Sequence, residues 1–235
     1  MNLDAIWHDL ECGDYTEDLA LWRELADRTG EPVLDIGAGT GRVTLELAAG
    51  GIEVVALDSC APLLTALDRR GEGLPVSTTV ADARDFRLDR QFSLILVPMQ
   101  TLQLLGGPSG RGAFLRCARA HLRSGGVVAA ALADAMDCFD DEHALAPPAQ
   151  SREILGLLYS SQLLRVVEDD GRAAIHRRRE IDGRAAQEVV VHLDRVSADQ
   201  VSAEAREVGF IPEPPLYIDG TEQYLGSTVV VLAAP

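Results

Sequence analysis

Lysine is missing altogether: all 21 basic residues are arginines, set against 37 acidic ones, for a formal net charge of -16. A surface so acidic repels phosphate backbones and anionic membranes, so neither nucleic acid nor a membrane is expected as a partner. The one basic cluster, Arg177-Arg178-Arg179, has no neighbouring aromatics for base stacking and reads as a solvated or ion-paired strand. Cysteine is scarce and scattered (Cys12, Cys60, Cys117, Cys138), with no C-x-x-C pair and no nearby histidine pattern. That excludes a written zinc site or redox motif and leaves free thiols. No run of about 18 apolar residues occurs, and acids (Asp4, Asp9, Glu11) stand where a secretory leader carries bases, so a cytoplasmic setting is expected.

The residues that are present are those of a folded chain, 47% hydrophobic and 25% charged over 235 positions, enough for one domain with an elaboration. Thr16, followed by Glu17 and Asp18, predicts the N-cap of a helix that carries Leu19, Trp22 and Leu25 on one face. Val33 to Ile36 predicts a buried strand, Arg42 to Ala49 a helix stopped by Gly50-Gly51, and Glu53 to Leu57 a second strand. The alternation continues with a helix over 62–70, strands at 76–80 and 92–97, a helix over 111–122 and a strand at 127–132 entered through Gly125-Gly126. Strands alternating with helices predict a mostly parallel, doubly wound α/β sheet.

Beyond Asp134 an acidic connection, Asp137 to Gln150, leads into strand-like runs at 162–168, 172–181 and 184–193, separated by Asp170-Gly171 and Asp182-Gly183. Asp-Gly between such runs signals hairpins, so residues 151–195 are expected to form a small antiparallel meander inserted into a single domain, as a lid or a dimer face. Ser197 with Gln200 predicts a capping box, Gly209 the end of that helix, and runs at 210–218 and 227–232 an antiparallel C-terminal hairpin completing the main sheet.

One stretch carries the chemistry. Val33-Leu34-Asp35-Ile36-Gly37-Ala38-Gly39-Thr40-Gly41-Arg42 is an apolar run ending in an acid and alternate glycines, which lets the backbone turn sharply and lie against a ligand. The dinucleotide pattern G-x-G-x-x-G would need glycine where Arg42 stands, and no Tyr-x-x-x-Lys can exist without lysine, so a nicotinamide oxidoreductase is set aside. Asp58 ends the second strand, placed to accept ribose hydroxyls.

On these residues the chain resembles the class I S-adenosylmethionine-dependent methyltransferases, closest to small bacterial enzymes acting on metabolites, including aminosugar N-methyltransferases. The resemblance runs through four strand ends and implies a Rossmann-like fold with S-adenosylmethionine as cofactor. Asp35, Gly37, Ala38, Gly39 and Gly41 resemble the first motif, along the methionine portion. Glu53 to Asp58 resembles the second, with Asp58 on the ribose and Ser59 beside it. Asp82 and the Ala83 amide fall where the family reads adenine, and Val97-Pro98-Met99 where its fourth strand passes the sulfonium and faces the acceptor. Tyr15 is expected in an N-terminal segment closing over the cofactor.

Val97-Pro98-Met99-Gln100 is not the N-P-P-aromatic sequence of enzymes methylating nucleobase or glutamine nitrogens, and no acid pair of the metal-dependent catechol enzymes is found. A small-molecule acceptor, methylated on N or O, is therefore expected, with a homodimer possible. In-line displacement needs alignment in a dry pocket more than a base, and His176 is the weak candidate for one. Gln100, Gln103 and Tyr159 are plausible pocket linings. The alternative is a non-catalytic S-adenosylmethionine-binding regulator, whose face beside Met99 would be buried or blocked.

Overall fold

The computed structural model describes residues 2–136, 148–221 and 224–235, so Cys138 and most of the acidic connection fall outside the described residues. Helices α1 (Leu3–Cys12) and α2 (Leu19–Thr29) precede β1 (Val33–Ile36), α3 (Arg42–Ala49), β2 (Val54–Asp58), α4 (Ala61–Arg70) and β3 (Val76–Val80). After them come β4 (Phe92–Val97), a 3-10 turn at Thr101–Leu104, α5 (Gly107–His121) and β5 (Leu122–Leu132). Strands β6 (Gln150–Ile154), β7 (Leu157–Asp169), β8 (Arg172–Ile181) and β9 (Gln187–Asp194) lead to α6 (Ala198–Glu207), β10 (Ile211–Ile218) and β11 (Ser227–Ala233).

The main sheet has the order β10-β11-β5-β4-β1-β2-β3. Neighbours from β5 through β3 run parallel, while β11 lies antiparallel to both β5 and β10. Strands β1 and β4 are buried along their whole length, as expected of short apolar runs covered on both faces. Trp22, Leu25, Val43 and Leu47 pack on one face; Phe114, Leu115, Val201 and Phe210 pack on the other. Each such side chain contributes about 1.5–3 kcal/mol by leaving water. Chain order reverses between β1 and β4, and at such a switch point the connections leave to opposite faces and open a crevice at the carboxyl ends.

The local departures from the expected elements have physical causes. Helix α2 starts at Leu19 rather than after Thr16, because the Thr16 carbonyl accepts from the Leu19 amide. Its flanking acid Asp18 caps nothing; the carboxylate accepts from Trp22 Nε1 at 2.7 Å and from the Arg42 guanidinium. Gly125-Gly126 is a kink inside β5 rather than a turn before it: pairing slips between Phe92 and Leu94, and the two glycines bond to Ala234 of the last segment. Helix α1, which the sequence reading passed over, is capped by the Asn2 side chain accepting from the Asp4 amide at 2.7 Å. The Ser197–Gln200 capping box is formed in both directions.

Residues 150–194 make a separate antiparallel sheet, β6-β7-β8-β9, with one more strand than the meander expected from the Asp-Gly turns. β9 starts at Gln187 because the Arg184 amide is spent closing the turn onto Ile181. The meander is tied to the main body at two ends. At one, Glu11 of α1 takes both Nε and Nη2 of Arg179 at 2.7 Å, and Trp7 packs edge-on against Tyr159. At the other, Arg111 is buried between Asp194 and Glu204, and the Gln103 side chain clips the backbone of Ala133 and Asp194. Between these anchors the sheet bridges the crevice.

Candidate active site

The carboxyl ends of β1 to β4 converge on a cavity of about 660 Å³ that extends beneath the meander. After β1 the chain turns tightly, with the Gly37 and Ala38 amides both donating to Leu57 O of β2. Gly37 adopts φ +70° and Gly39 φ +57°, conformations open to glycine at little strain. Space demands glycine as well: a Cβ at Gly37 would lie 2.5 Å from Thr101 Cγ2, and one at Gly39 would run into the His8 ring. The turn also fixes Asp58, whose Oδ2 accepts from the Gly39 amide at 2.9 Å while Oδ1 accepts from Cys60 at 2.8 Å. A carboxylate held by two amides is preorganised for a ligand's hydroxyls, since each oxygen keeps lone-pair capacity.

Asp35 sits deeper, 1% exposed. Thr44 Oγ1 donates to its Oδ2 at 2.6 Å, whereas Oδ1 has no partner among the described residues. Burial pushes the carboxyl up to about 7, against the opposing pull of the Thr44 hydrogen bond and Arg42. An orphaned buried acceptor on a cavity wall suits a cationic donor such as an ammonium group. At the rim, Asp82 is paired with its near neighbour Arg84, whose hydrogen bonds hold the carboxyl down at about 2.

Two further networks hem the cavity in. His8 Nδ1 lies 3.2 Å from Thr40 Oγ1, and Thr40 gives its own proton to Asp9 Oδ1 at 2.6 Å, so the histidine is the donor to Thr40 and its Nε2 keeps a lone pair. Burial holds this imidazole below its ordinary value. Arg70 closes the chain by pairing with Asp9. On the other side Arg42 is nearly buried, bonded to Asp18 and to Tyr15 O, and stacked 5.0 Å from the Tyr15 ring.

Of the expected site residues, Asp35, Gly37, Ala38, Asp58, Ser59, Asp82, Ala83, Pro98 and Met99 border the cavity, as does Gln100. Gly39 and Gly41 do not; the first makes room for His8 and the second for Leu67 of α4. Tyr15 is buried behind Arg42 against Tyr224, with burial pushing its phenol up to about 12. His176 is not among the lining residues: Ile175 and Arg177 face the cavity from β8, and strand alternation turns His176 outward to Glu188 at 2.7 Å. Gln103 is a backbone clip, and Tyr159 packs on Trp7. The sequence reading missed His8, Arg42 and Tyr224 as lining residues, together with Gln150 and Arg177. Only Arg42 carried a local signal, its place directly after the glycine turn.

Residues 33–126 match a family model described as a methyltransferase domain. Among curated proteins, the cypemycin N-terminal methyltransferase of a Streptomyces species is 29% identical over 144 residues, 61% of this chain and 56% of that protein. The match therefore spans little more than half the length of that relative. Among solved structures, DesVI of Streptomyces venezuelae has a TM-score of 0.76 at 21% identity, with 100% of both chains covered. S-adenosylmethionine-bound CalS10, an amino pentose methyltransferase from Micromonospora echinaspora, has a TM-score of 0.75 at 18% identity, covering 100% of this chain and 98% of that one.

Proposed function

We propose, on the premise that this chain belongs to the class I S-adenosylmethionine-dependent methyltransferases, that it transfers a methyl group to nitrogen of a small molecule seated beyond Met99. The observation that carries this reading is the continuity of one cavity from Asp35 and Asp58, past Pro98 and Met99, to the meander. The alternative, a non-catalytic binder, is expected to have the face beside Met99 buried or blocked, whereas here that face borders the cavity. Nitrogen is favoured over oxygen because the relatives include an amino pentose methyltransferase and an N-terminal methyltransferase.

When bound, S-adenosylmethionine supplies an electrophilic methyl group on a sulfonium. Asp35 Oδ1 would accept from its ammonium group and Asp58 from its ribose hydroxyls, while the Ala83 amide and Asp82, whose carboxylate is shared with Arg84, would meet its adenine. Positive charge disperses as the methyl moves, so the residues act by alignment and by exclusion of water. With His176 turned outward, the acceptor amine would arrive neutral and shed its proton after transfer to solvent or to the His8 imidazole, whose Nε2 lone pair borders the cavity. A cytoplasmic setting belongs to the same reading; no helix among the described residues is long and apolar enough to cross a membrane.

Calorimetric titration with S-adenosylmethionine and S-adenosylhomocysteine tests the donor end. Asp58→Ala should weaken both about 10- to 100-fold, through loss of charge-assisted hydrogen bonds worth about 1.5–3 kcal/mol. Failure of the wild type to bind either would sink the cofactor sites. Mass spectrometry of amines, aminosugars and phenols incubated with protein and donor tests the acceptor end; binding without transfer to any class would favour the regulator.

A further inference from the structure

The far half of the cavity is chemically unlike the half that holds Asp35 and Asp58. Leu163 and Val166 of β7, Ile175 of β8, and Val191 and Leu193 of β9 all face into it. Along β8 and β9 this follows from the two-residue period of a strand, which puts Val191 and Leu193 on one face. Along β7 it does not, because Leu163 and Val166 are three positions apart. Pairing between β7 and β8 slips between Leu163 and Arg165, and that irregularity returns Val166 to the inner face. In a regular strand Arg165 would share the face of Leu163. Instead Arg165 turns outward, half-exposed, to Glu188 at 3.2 Å. The bulge keeps a second cation from joining Arg177 on the chamber wall and puts an aliphatic side chain in its place.

Polar residues at the edge of this half bond largely to one another. Arg177 donates to Ser161 at 3.1 Å and to Gln150 at 2.7 Å, and Glu11 is taken up by Arg179 and Ser161. Hydroxyl groups carried in by a ligand would give up water and face aliphatic side chains, a net loss for each one left unpaired. Methylene groups would gain on the same transfer.

We propose that the meander face is an acceptor chamber selective for an amine on an apolar skeleton, and that it disfavours polyhydroxylated amines. The proposal rests on the methyl-transfer reading above. It is tested on the full chain saturated with S-adenosylhomocysteine, by calorimetric titration with n-propylamine through n-hexylamine and, separately, glucosamine. Affinity should rise about fourfold per added methylene until the chamber is filled, and n-hexylamine should bind at least about tenfold more tightly than glucosamine. Ile175→Asn, or Val191→Asn at a more exposed position should the first not fold, should flatten the series while leaving S-adenosylhomocysteine affinity unchanged. Glucosamine binding as well as n-hexylamine, a series without chain-length dependence, or an unaltered series in a folded variant would overturn the chamber and leave the donor site intact. Absence of S-adenosylhomocysteine binding to the wild type would overturn the methyl-transfer reading, and the chamber with it.

Discussion

If Asp35 meets the cofactor's ammonium group as proposed, cofactor affinity depends on pH in a way that can be worked out in advance. Buried and 1% exposed, with its carboxyl pushed up to about 7, it is largely protonated in the free protein at mildly acidic pH. A cationic ammonium group beside the orphaned Oδ1 favours the carboxylate, so binding must displace the proton wherever one is present. If the liganded group titrates below the range measured, affinity is weaker than its plateau by the factor 1 + 10^(pKa − pH). That factor is about twofold at pH 7, about tenfold at pH 6 and about thirtyfold at pH 5.5, or about 1.4 kcal/mol for each unit well below the midpoint.

S-adenosylhomocysteine is the suitable probe, since it carries the same ammonium group without the reactive methyl. Calorimetry between pH 5.5 and 7, in buffers of different ionisation enthalpy, should show the weakening and the release of nearly one proton at the acidic end. Asp35→Asn should remove both the slope and the proton release, leaving affinity near the low-pH level. The sign for the free fold runs oppositely: a carboxyl raised above its unfolded value stabilises the fold below about pH 4, and this contribution is lost as pH rises through 7. Stability and cofactor affinity should therefore trend against one another across the same window. A dissociation constant flat from pH 5.5 to 7 with no proton release would refute the pairing of Asp35 with the ammonium group.

Arg42→Met strands the Asp18 carboxylate, 1% exposed, with Trp22 Nε1 as its remaining strong donor; urea unfolding should register a loss of about 3–5 kcal/mol. His176→Ala should leave turnover within about twofold of wild type, because neither it nor its partner Glu188 faces the cavity. A large loss of turnover would return His176 to the reaction. Gly39→Ala combines a left-handed φ with a clash against the His8 ring, so thermal unfolding should shift down by about 1–3 kcal/mol and S-adenosylhomocysteine affinity should fall with it.

The proposed donor end had a local signature in the sequence because its candidate binding groups are backbone amides and strand-end acids, specified by neighbours in the chain. A turn such as Gly37 to Gly41 has the same requirements wherever it occurs, and Asp35 and Asp58 follow from where β1 and β2 stop. The acceptor end is specified across the chain instead. Glu11 meets Arg179 across 168 positions and Gln103 meets Asp194 across 91, so the placement of the meander over the crevice has no local signature. Alternation along β8 was legible, but not which of its faces would turn inward, and a histidine one residue from the chamber wall was therefore indistinguishable from one in it. The slip beside Leu163 is less legible still, for no glycine or proline marks it. That single irregularity exchanges Arg165 for Val166 on the inner face. The residues proposed to choose the acceptor are thus governed by sheet register, and on that proposal a change of register in β7 would alter specificity without touching the residues assigned to the donor.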